Sequence, residues 1–196
     1  MKAIVNVNMD WAIGKNNNLI NKFSEDMKFF KSHTLGNTVI YGRKTLDSFP
    51  NKAPLPNRKN IVLTSNTENI KNSIDKCDCF IDLINSENAN IIKNNIITPD
   101  SSILISSNNV DIVVDISNIL GSDVYVCGGE TVYKQFLKYC DMVYVTMCYN
   151  HCDDADAFFP NLDNDSNWKI VDRSGTIHSS KNNIDYEFIA YHRCAF

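Results

Sequence analysis

Apolar residues fall into short runs separated by polar, asparagine-rich spacers. In the first run Ala3, Val5 and Val7 alternate with Ile4, the period-two signature of a strand entering a core. Residues 9–24 read as a polar loop containing Gly14, Asn16 to Asn18 and Leu19-Ile20. Ser24 is the expected N-cap of a helix over about 25–34, with Glu25 and Asp26 in its first turn, where negative charge suits the helix dipole. Met27 and Phe30, spaced i, i+3, predict an inward stripe, and Asp26, four residues before Phe30, puts a carboxylate at the edge of that apolar face.

Thr38-Val39-Ile40-Tyr41-Gly42 predicts a second strand, and Arg43-Lys44-Thr45 opens a helix ending near Phe49-Pro50. After a loop holding Pro50, Pro54 and Pro56, residues Asn60 to Thr64 predict a third strand. Strand alternating with helix is the pattern of an α/β protein with a mostly parallel sheet. Residues 66–109 carry two weak apolar clusters, Cys79-Phe80-Ile81 and Ile103-Leu104-Ile105. Structureless loops of that length are rare inside compact domains, so the segment reads as an insertion with small elements of its own. Strand character resumes at Asp111 to Val114. Val124 to Cys127 predicts a buried strand ending in Gly128-Gly129, and Tyr133, Phe136, Leu137 and Cys140 stripe the helix that follows. Met142 to Tyr149 predicts another strand, and Trp168 to Val171 with Tyr186 to Tyr191 an antiparallel hairpin around Ser180 to Asn183.

A chain of 196 residues is ordinarily one domain. Its net charge of −4 argues against a nucleic-acid partner, and no apolar run reaches the ~18–20 residues of a membrane span. Seven cysteines are an odd number, and Asn6 and Asn8 interrupt what a signal peptide would keep apolar. Free thiols in a reducing compartment, the cytoplasm, are therefore expected. Asparagine, 27 of 196 residues, sits in groups between apolar strands and reads as coding-nucleotide bias rather than a functional segment.

Three features carry chemistry. Gly128-Gly129-Glu130-Thr131 lies at a strand-to-helix junction, where bare backbone and free N–H groups suit a phosphate, although two glycines also make an ordinary tight turn. The dinucleotide fingerprint G-x-G-x-x-G is absent. In Gly42-Arg43-Lys44-Thr45 an arginine stands where a P-loop needs glycine before its lysine. What remains is a cation pair at a helix start, suited to a phosphate monoester such as the 2′-phosphate of NADP, or simply solvated. Asp26, with apolar neighbours, suits an amidine-like heterocycle gripped through two hydrogen bonds, or merely favours the helix dipole. Cys148-x-x-x-Cys152 with His151, Asp153, Asp154 and Asp156 matches no zinc spacing, so no metal is expected.

The ordered series of motifs is more specific than any one of them. It runs from Ile13-Gly14 through Asp26 and Phe30, then Gly42 to Thr45 and Leu55-Pro56-Asn57-Arg58-Lys59-Asn60. It continues with Gly128-Gly129-Glu130-Thr131-Val132-Tyr133 and Thr146, and ends at Phe158-Phe159-Pro160. Over residues 1–65 and about 110–193 the chain thereby resembles the dihydrofolate reductase family. The resemblance implies a central, mostly parallel eight-stranded sheet with flanking helices and an antiparallel C-terminal strand. It also implies one domain over 1–196, with an insertion at about 67–109.

The implied activity is NADPH-dependent reduction of 7,8-dihydrofolate to tetrahydrofolate, with hydride to pterin C6 and a proton to N5, supporting thymidylate and one-carbon metabolism. Implied partners are dihydrofolate and NADPH, and the implied state is a monomer, with the insertion as the place for any self-association. By the same resemblance Asp26 pairs with the pterin, Thr146 supports it, and Ile4, Val5, Met27, Phe30, Phe49 and Leu55 line the substrate slot. Arg58 clamps the substrate carboxylate, and Cys127 and Tyr133 flank the rings. Asn6, Ile13 and Gly14 contact the nicotinamide end through backbone groups, and Leu19 is a further cofactor contact. Arg43, Lys44, Thr45, Thr64 and Ser65 hold the adenosine 2′-phosphate and neighbouring pyrophosphate, and Gly42 and Leu63 are further cofactor contacts. Gly128, Gly129, Glu130, Thr131 and Val132 cradle the pyrophosphate, with a cis Gly-Gly bond. The implied mobile loop is 15–23. Within it Asn21 stands where the family usually has Trp, as a candidate to bind water near the reaction, and Ile20 where it commonly has Pro. Asn6 stands where a small apolar residue is common. A reductase of another heterocycle, such as the riboflavin-pathway pyrimidine, is disfavoured by Asp26, Arg58 and Leu55-Pro56, and a non-catalytic binder is the other alternative.

Overall fold

The computed structural model describes residues 1–64, 81–84, 102–106 and 123–194, with backbone alone for the two short internal stretches. In chain order the elements are β1 (Lys2–Asn8), β2 (Ala12–Lys15), β3 (Asn18–Leu19), α1 (Ser24–Thr34), β4 (Thr38–Gly42), α2 (Arg43–Ser48) and β5 (Lys59–Thr64). There follow β6 (Ile81–Ile84), β7 (Ser102–Ser106), β8 (Val124–Val126), α3 (Glu130–Phe136) and β9 (Met142–Cys148). The last are β10 (Ala157–Phe158), β11 (Trp168–Arg173), β12 (Ile177–Ser179) and β13 (Ile184–Arg193). They divide into two compact units, residues 1–33 with 133–196, and residues 34–132.

In the first unit β1 runs parallel to β9, with Ala3 opposite Val143 and Asn6 opposite Thr146. β13 pairs antiparallel with the other edge of β9 and carries β11 and β12, both antiparallel, along its free edge. The expected C-terminal hairpin is thus closed by β12, a three-residue strand that the sequence pattern does not separate from β11. Ala3, Ile4, Val5 and Val7 are all buried, so β1 is covered on both faces. Phe23 packs with Cys148 and Tyr186, and Trp11 stacks on Phe159.

Residues 9–24 are more ordered than a polar loop. β2 and β3 form a hairpin, and β10 adds a third strand. The turn residues Asn16 and Asn17 have φ of 50° and 60°. Two consecutive positive φ values make the turn that matches strand twist, and asparagine tolerates them better than most residues.

α1 corrects two further expectations. Ser24 lies inside the helix, and its hydroxyl donates to Glu25 Oε2 at 2.7 Å rather than accepting from a backbone amide. Met27 is 43% exposed, and the buried residue of that turn is Asp26, at 8%. The face that α1 presents inward is therefore led by its acid, not by the apolar stripe.

The second unit is a parallel sheet in the order β8-β4-β5-β7-β6. The 66–109 segment contributes two of its strands, β6 and β7, the latter holding Ile103-Leu104-Ile105. Cys79, Phe80 and the expected strand at 111–114 lie outside the described residues. Asn60 organises the turn before β5: its Nδ2 donates to Leu55 O and Arg58 O, each at 2.9 Å, while its Oδ1 accepts from Leu55 N–H and the Tyr41 hydroxyl. The parallel pairs are what the alternation of strand and helix predicts and the antiparallel β13 is what the resemblance implies, whereas the small sheet of β10, β2 and β3 is an addition to both.

Candidate active site

In the first unit, three polar side chains meet at the ends of α1, β1 and β9. Asp26 is 8% and Thr146 1% exposed. Burial holds the Asp26 carboxyl above its ordinary value, against the opposing influence of the Thr146 hydroxyl and the Asn6 amide. Asn6 and Thr146 are register partners on adjacent strands, so their side chains leave the sheet on the same face. The Cys148 thiol donates to Asn6 Oδ1 at 3.5 Å, and burial pushes this thiol up to about 12. Beyond the backbone role that the resemblance implies for it, Asn6 has its side chain beside Asp26, which only the pairing of β1 with β9 reveals.

Ile4 and Val5 are buried on β1, and the Tyr133 hydroxyl donates to Ile4 O at 2.7 Å, which ties the start of the helix stripe to this strand. Phe30 is half-buried beside exposed Met27. Ile13 and Gly14 are buried on β2, and Leu19, 49% exposed, stands directly opposite Gly14 on β3. A Cβ on Gly14 would meet Asn18 O at 3.3 Å. Asn21 is buried, but both ends of its amide are taken by Asn150, a partner that no motif signals.

In the second unit, the two glycine-bearing motifs come together. Gly42 N–H donates to Gly128 O at 2.8 Å, Cys127 N–H donates to Ile40 O at 2.8 Å, and the Gly128–Gly129 peptide is cis, as the resemblance implies. A Cβ on Gly42 would stand 3.3 Å from Val132 Cγ2, and one on Gly129 3.6 Å from Thr45 Oγ1. Gly42 has an ordinary φ of −82°, so glycine serves close approach there, not backbone freedom. Arg43 bonds Asp47 one turn on, Lys44 and Thr131 are exposed, and Glu130 is half-buried at the start of α3. Leu63 and Thr64 are buried at the end of β5, with Leu63 opposite Gly42, and Ser65 lies outside the described residues.

Arg58 is only 6% exposed. Its Nε donates to Thr34 Oγ1 at 2.8 Å and one terminal nitrogen to Pro56 O at 3.1 Å, while burial lowers its pKa. A buried, pre-oriented guanidinium is suited to a carboxylate in fork geometry. Half-buried Phe49 packs edge-on against Tyr41, and Leu55 is held by Asn60. The Cys127 thiol, raised by burial, donates to Tyr125 O. Among the described residues no group of three or more His, Cys, Asp or Glu could hold a metal ion, and no helix is long and apolar enough to cross a membrane.

A glycine-pair turn against a cation-bearing helix start suits a phosphate-bearing nucleotide, and in the other unit a buried carboxyl beside a threonine suits a polar ring; the comparisons with known proteins place the chain among the nucleotide-dependent oxidoreductases. The family model described as dihydrofolate reductase matches residues 1–94 and 92–193. The dihydrofolate reductase of Bacillus subtilis (strain 168) is 32% identical over 183 residues, covering 92% of this chain and 87% of that protein. That of Staphylococcus haemolyticus is 32% identical over 194 residues, covering 98% and 95%. The solved structure of dihydrofolate reductase from Enterococcus faecalis, complexed with NADP(H) and RAB-propyl, is similar with a TM-score of 0.69 at 26% identity, covering 99% of this chain and 96% of that one. The chain belongs to the dihydrofolate reductase family.

Proposed function

We propose that this protein reduces 7,8-dihydrofolate to tetrahydrofolate with NADPH. The observation that carries the reading is the buried Asp26 beside Thr146, a carboxyl raised by burial and steadied by a hydroxyl in a chain of this family. Asp26 grips the 2-amino group and ring N3 of the pterin, and Thr146 keeps its carboxyl turned to that edge. Ile4, Val5, Met27, Phe30, Phe49, Leu55 and Tyr133 give the slot its apolar walls, and Arg58 takes the substrate's α-carboxylate.

The bare backbone at Gly42 and Gly129, where a Cβ would press Val132 or approach Thr45, fits a pyrophosphate laid along it. Gly128, Glu130, Thr131 and Val132 complete that cradle, Arg43, Lys44, Thr45, Leu63, Thr64 and Ser65 take the 2′-phosphate end, and Asn6, Ile13, Gly14, Leu19 and Cys127 the nicotinamide end. Bound NADPH supplies the hydride that reduces pterin C6. Asp26 fixes the ring and favours the protonated substrate, and water beside it delivers the proton to N5. Residues 15–23 close over the reacting rings and exclude bulk water. The same reading expects a cytoplasmic monomer acting as one domain, with an insertion at about 67–109, in thymidylate and one-carbon metabolism.

The test is to mix protein with dihydrofolate and NADPH, follow loss of NADPH absorbance, and run NADH in parallel. Fast NADPH consumption that a diaminopyrimidine antifolate blocks is the expected result. Folded protein that binds NADPH but does not turn over would overturn the reading.

A further inference from the structure

Asn6 stands opposite Thr146 on the neighbouring strand and brings an amide with a buried nitrogen next to it. The Cys148 thiol, a donor, reaches Asn6 Oδ1 at 3.5 Å and so sets the orientation of that amide. Its other end, Nδ2, is buried and has no hydrogen-bond partner among the described residues. A buried donor left unpaired is costly, so a nearby acceptor is expected to claim it. The buried acceptor nearest in kind is the Asp26 carboxyl, which Asn6 approaches closely enough to favour its charged form, though outside hydrogen-bond geometry. The opposite amide orientation would aim Oδ1 at a carboxylate and Nδ2 at a thiol, losing both interactions.

We propose that Asn6 is a second positioning residue for Asp26: anchored through Oδ1 by Cys148, it donates Nδ2–H to the ionised carboxylate, so that Asn6 and Thr146 hold the acid from two adjacent strands. The proposal rests on the reading of Asp26 as the substrate-binding acid, but the geometry it invokes exists without substrate. A small side movement of α1 or of the Asn6 side chain completes the bond when Asp26 loses its proton, because a charge-assisted bond is stronger than a neutral one. The position thereby sets how readily the acid ionises in its apolar surroundings.

The other groups around Asp26 do not confuse its titration. On β9 Thr146 is neutral, and burial keeps the Cys148 thiol protonated until about 12. On β13 Tyr186 is raised by burial and by Glu25 and Asp26. On α1 Glu25 is held below its ordinary value, chiefly by the Ser24 hydroxyl.

The experiment follows the carboxyl-carbon resonance of Asp26 against pH in protein carrying labelled aspartate, assigned with Asp26→Asn, for the wild type, Asn6→Ala and Asn6→Leu. Leucine keeps the branched outline of Asn6, with bulkier ends, and removes its donor, whereas alanine removes the donor without adding bulk. Both variants should move the Asp26 midpoint up by about one pH unit, the size expected for one lost charge-assisted hydrogen bond. In the wild type the Asn6 side-chain amide protons should shift with the same midpoint, which needs no variant to fold. An unmoved midpoint in Asn6→Leu, with or without a shift in Asn6→Ala, would reduce Asn6 to a space-filling role and overturn the proposal. So would Asn6 amide protons that do not titrate with Asp26. Because no substrate is present, a negative result here is distinct from failure of the turnover assay.

Discussion

Asn21 and Asn150 exchange side-chain hydrogen bonds, Asn150 Nδ2 to Asn21 Oδ1 at 2.8 Å and Asn21 Nδ2 to Asn150 Oδ1 at 3.3 Å. Asn150 is itself fixed by its backbone, its N–H donating to Cys148 O and its C=O accepting from Met9 N–H. The segment entering α1 is thus stapled to the end of β9 by an amide pair, at the position where the family usually has an indole. Asn150→Ala strands the buried Asn21 amide and should destabilise the fold by about 1–3 kcal/mol in urea unfolding. Replacing both residues by leucine should cost less than the sum of the single changes; simple additivity would mean that the pair contributes no coupling.

Asp26→Asn should lower dihydrofolate turnover near neutral pH roughly 10²–10⁴-fold, with a smaller loss at acid pH where the substrate protonates unaided. The same variant should gain stability. A folded-state pKa raised by burial means that Asp26 contributes stability below its unfolded value and loses it as pH rises through the folded one. Asn should therefore be the more stable side chain at neutral pH, with the gap closing toward acid. Thermal unfolding of both proteins across pH tests this, and a gap that widens on acidification would contradict it.

Arg58→Lys removes the Nε donor that Thr34 accepts and replaces a planar fork with a point charge. The KM for dihydrofolate should rise roughly 10–100-fold, the range of one or two charge-assisted hydrogen bonds, with the KM for NADPH nearly unchanged. A substrate analogue lacking the glutamate carboxylate should show little difference between the two proteins. Equal losses with both substrates would remove Arg58 from carboxylate recognition.

Joint replacement of Arg43 and Lys44 by alanine should raise the KM for NADPH at least about tenfold and leave that for NADH nearly unaffected. Arg43 already bonds Asp47, so the single Arg43→Ala change also frees a carboxylate near the proposed 2′-phosphate site. Asp47→Asn in the double variant isolates that contribution. Parallel effects on the two cofactors would show that these cations serve the fold rather than the 2′-phosphate.

Much of this molecule is legible locally. β1, β4, β5, β9 and β13 are apolar runs whose ends are marked by polar residues, and α2 follows directly from Gly42. The hairpin of β2 and β3 was less legible, because its signal is two asparagines at positive φ inside a run of similar residues. Met27 misled because helical spacing identifies a face but not which of its members the neighbouring strands cover. β6 and β7 read as weak clusters because a strand of four or five residues becomes recognisable only once its parallel neighbour is known.

The amino-acid sequence alone determined the α/β alternation, the family, and the two glycine motifs and the acid that define its chemistry. These depend on periodicity, backbone permissiveness and residue type, all written within a few positions of one another. Tertiary structure alone decided that Asn6 faces Asp26 through the register of β1 with β9, and that Asn150 receives Asn21. It also decided that Gly42 meets Gly128 and that the 66–109 segment adds strands to a parallel sheet. Parallel pairing joins residues far apart in the chain, and a one-residue change of register between β1 and β9 would send Asn6 to the face opposite Thr146.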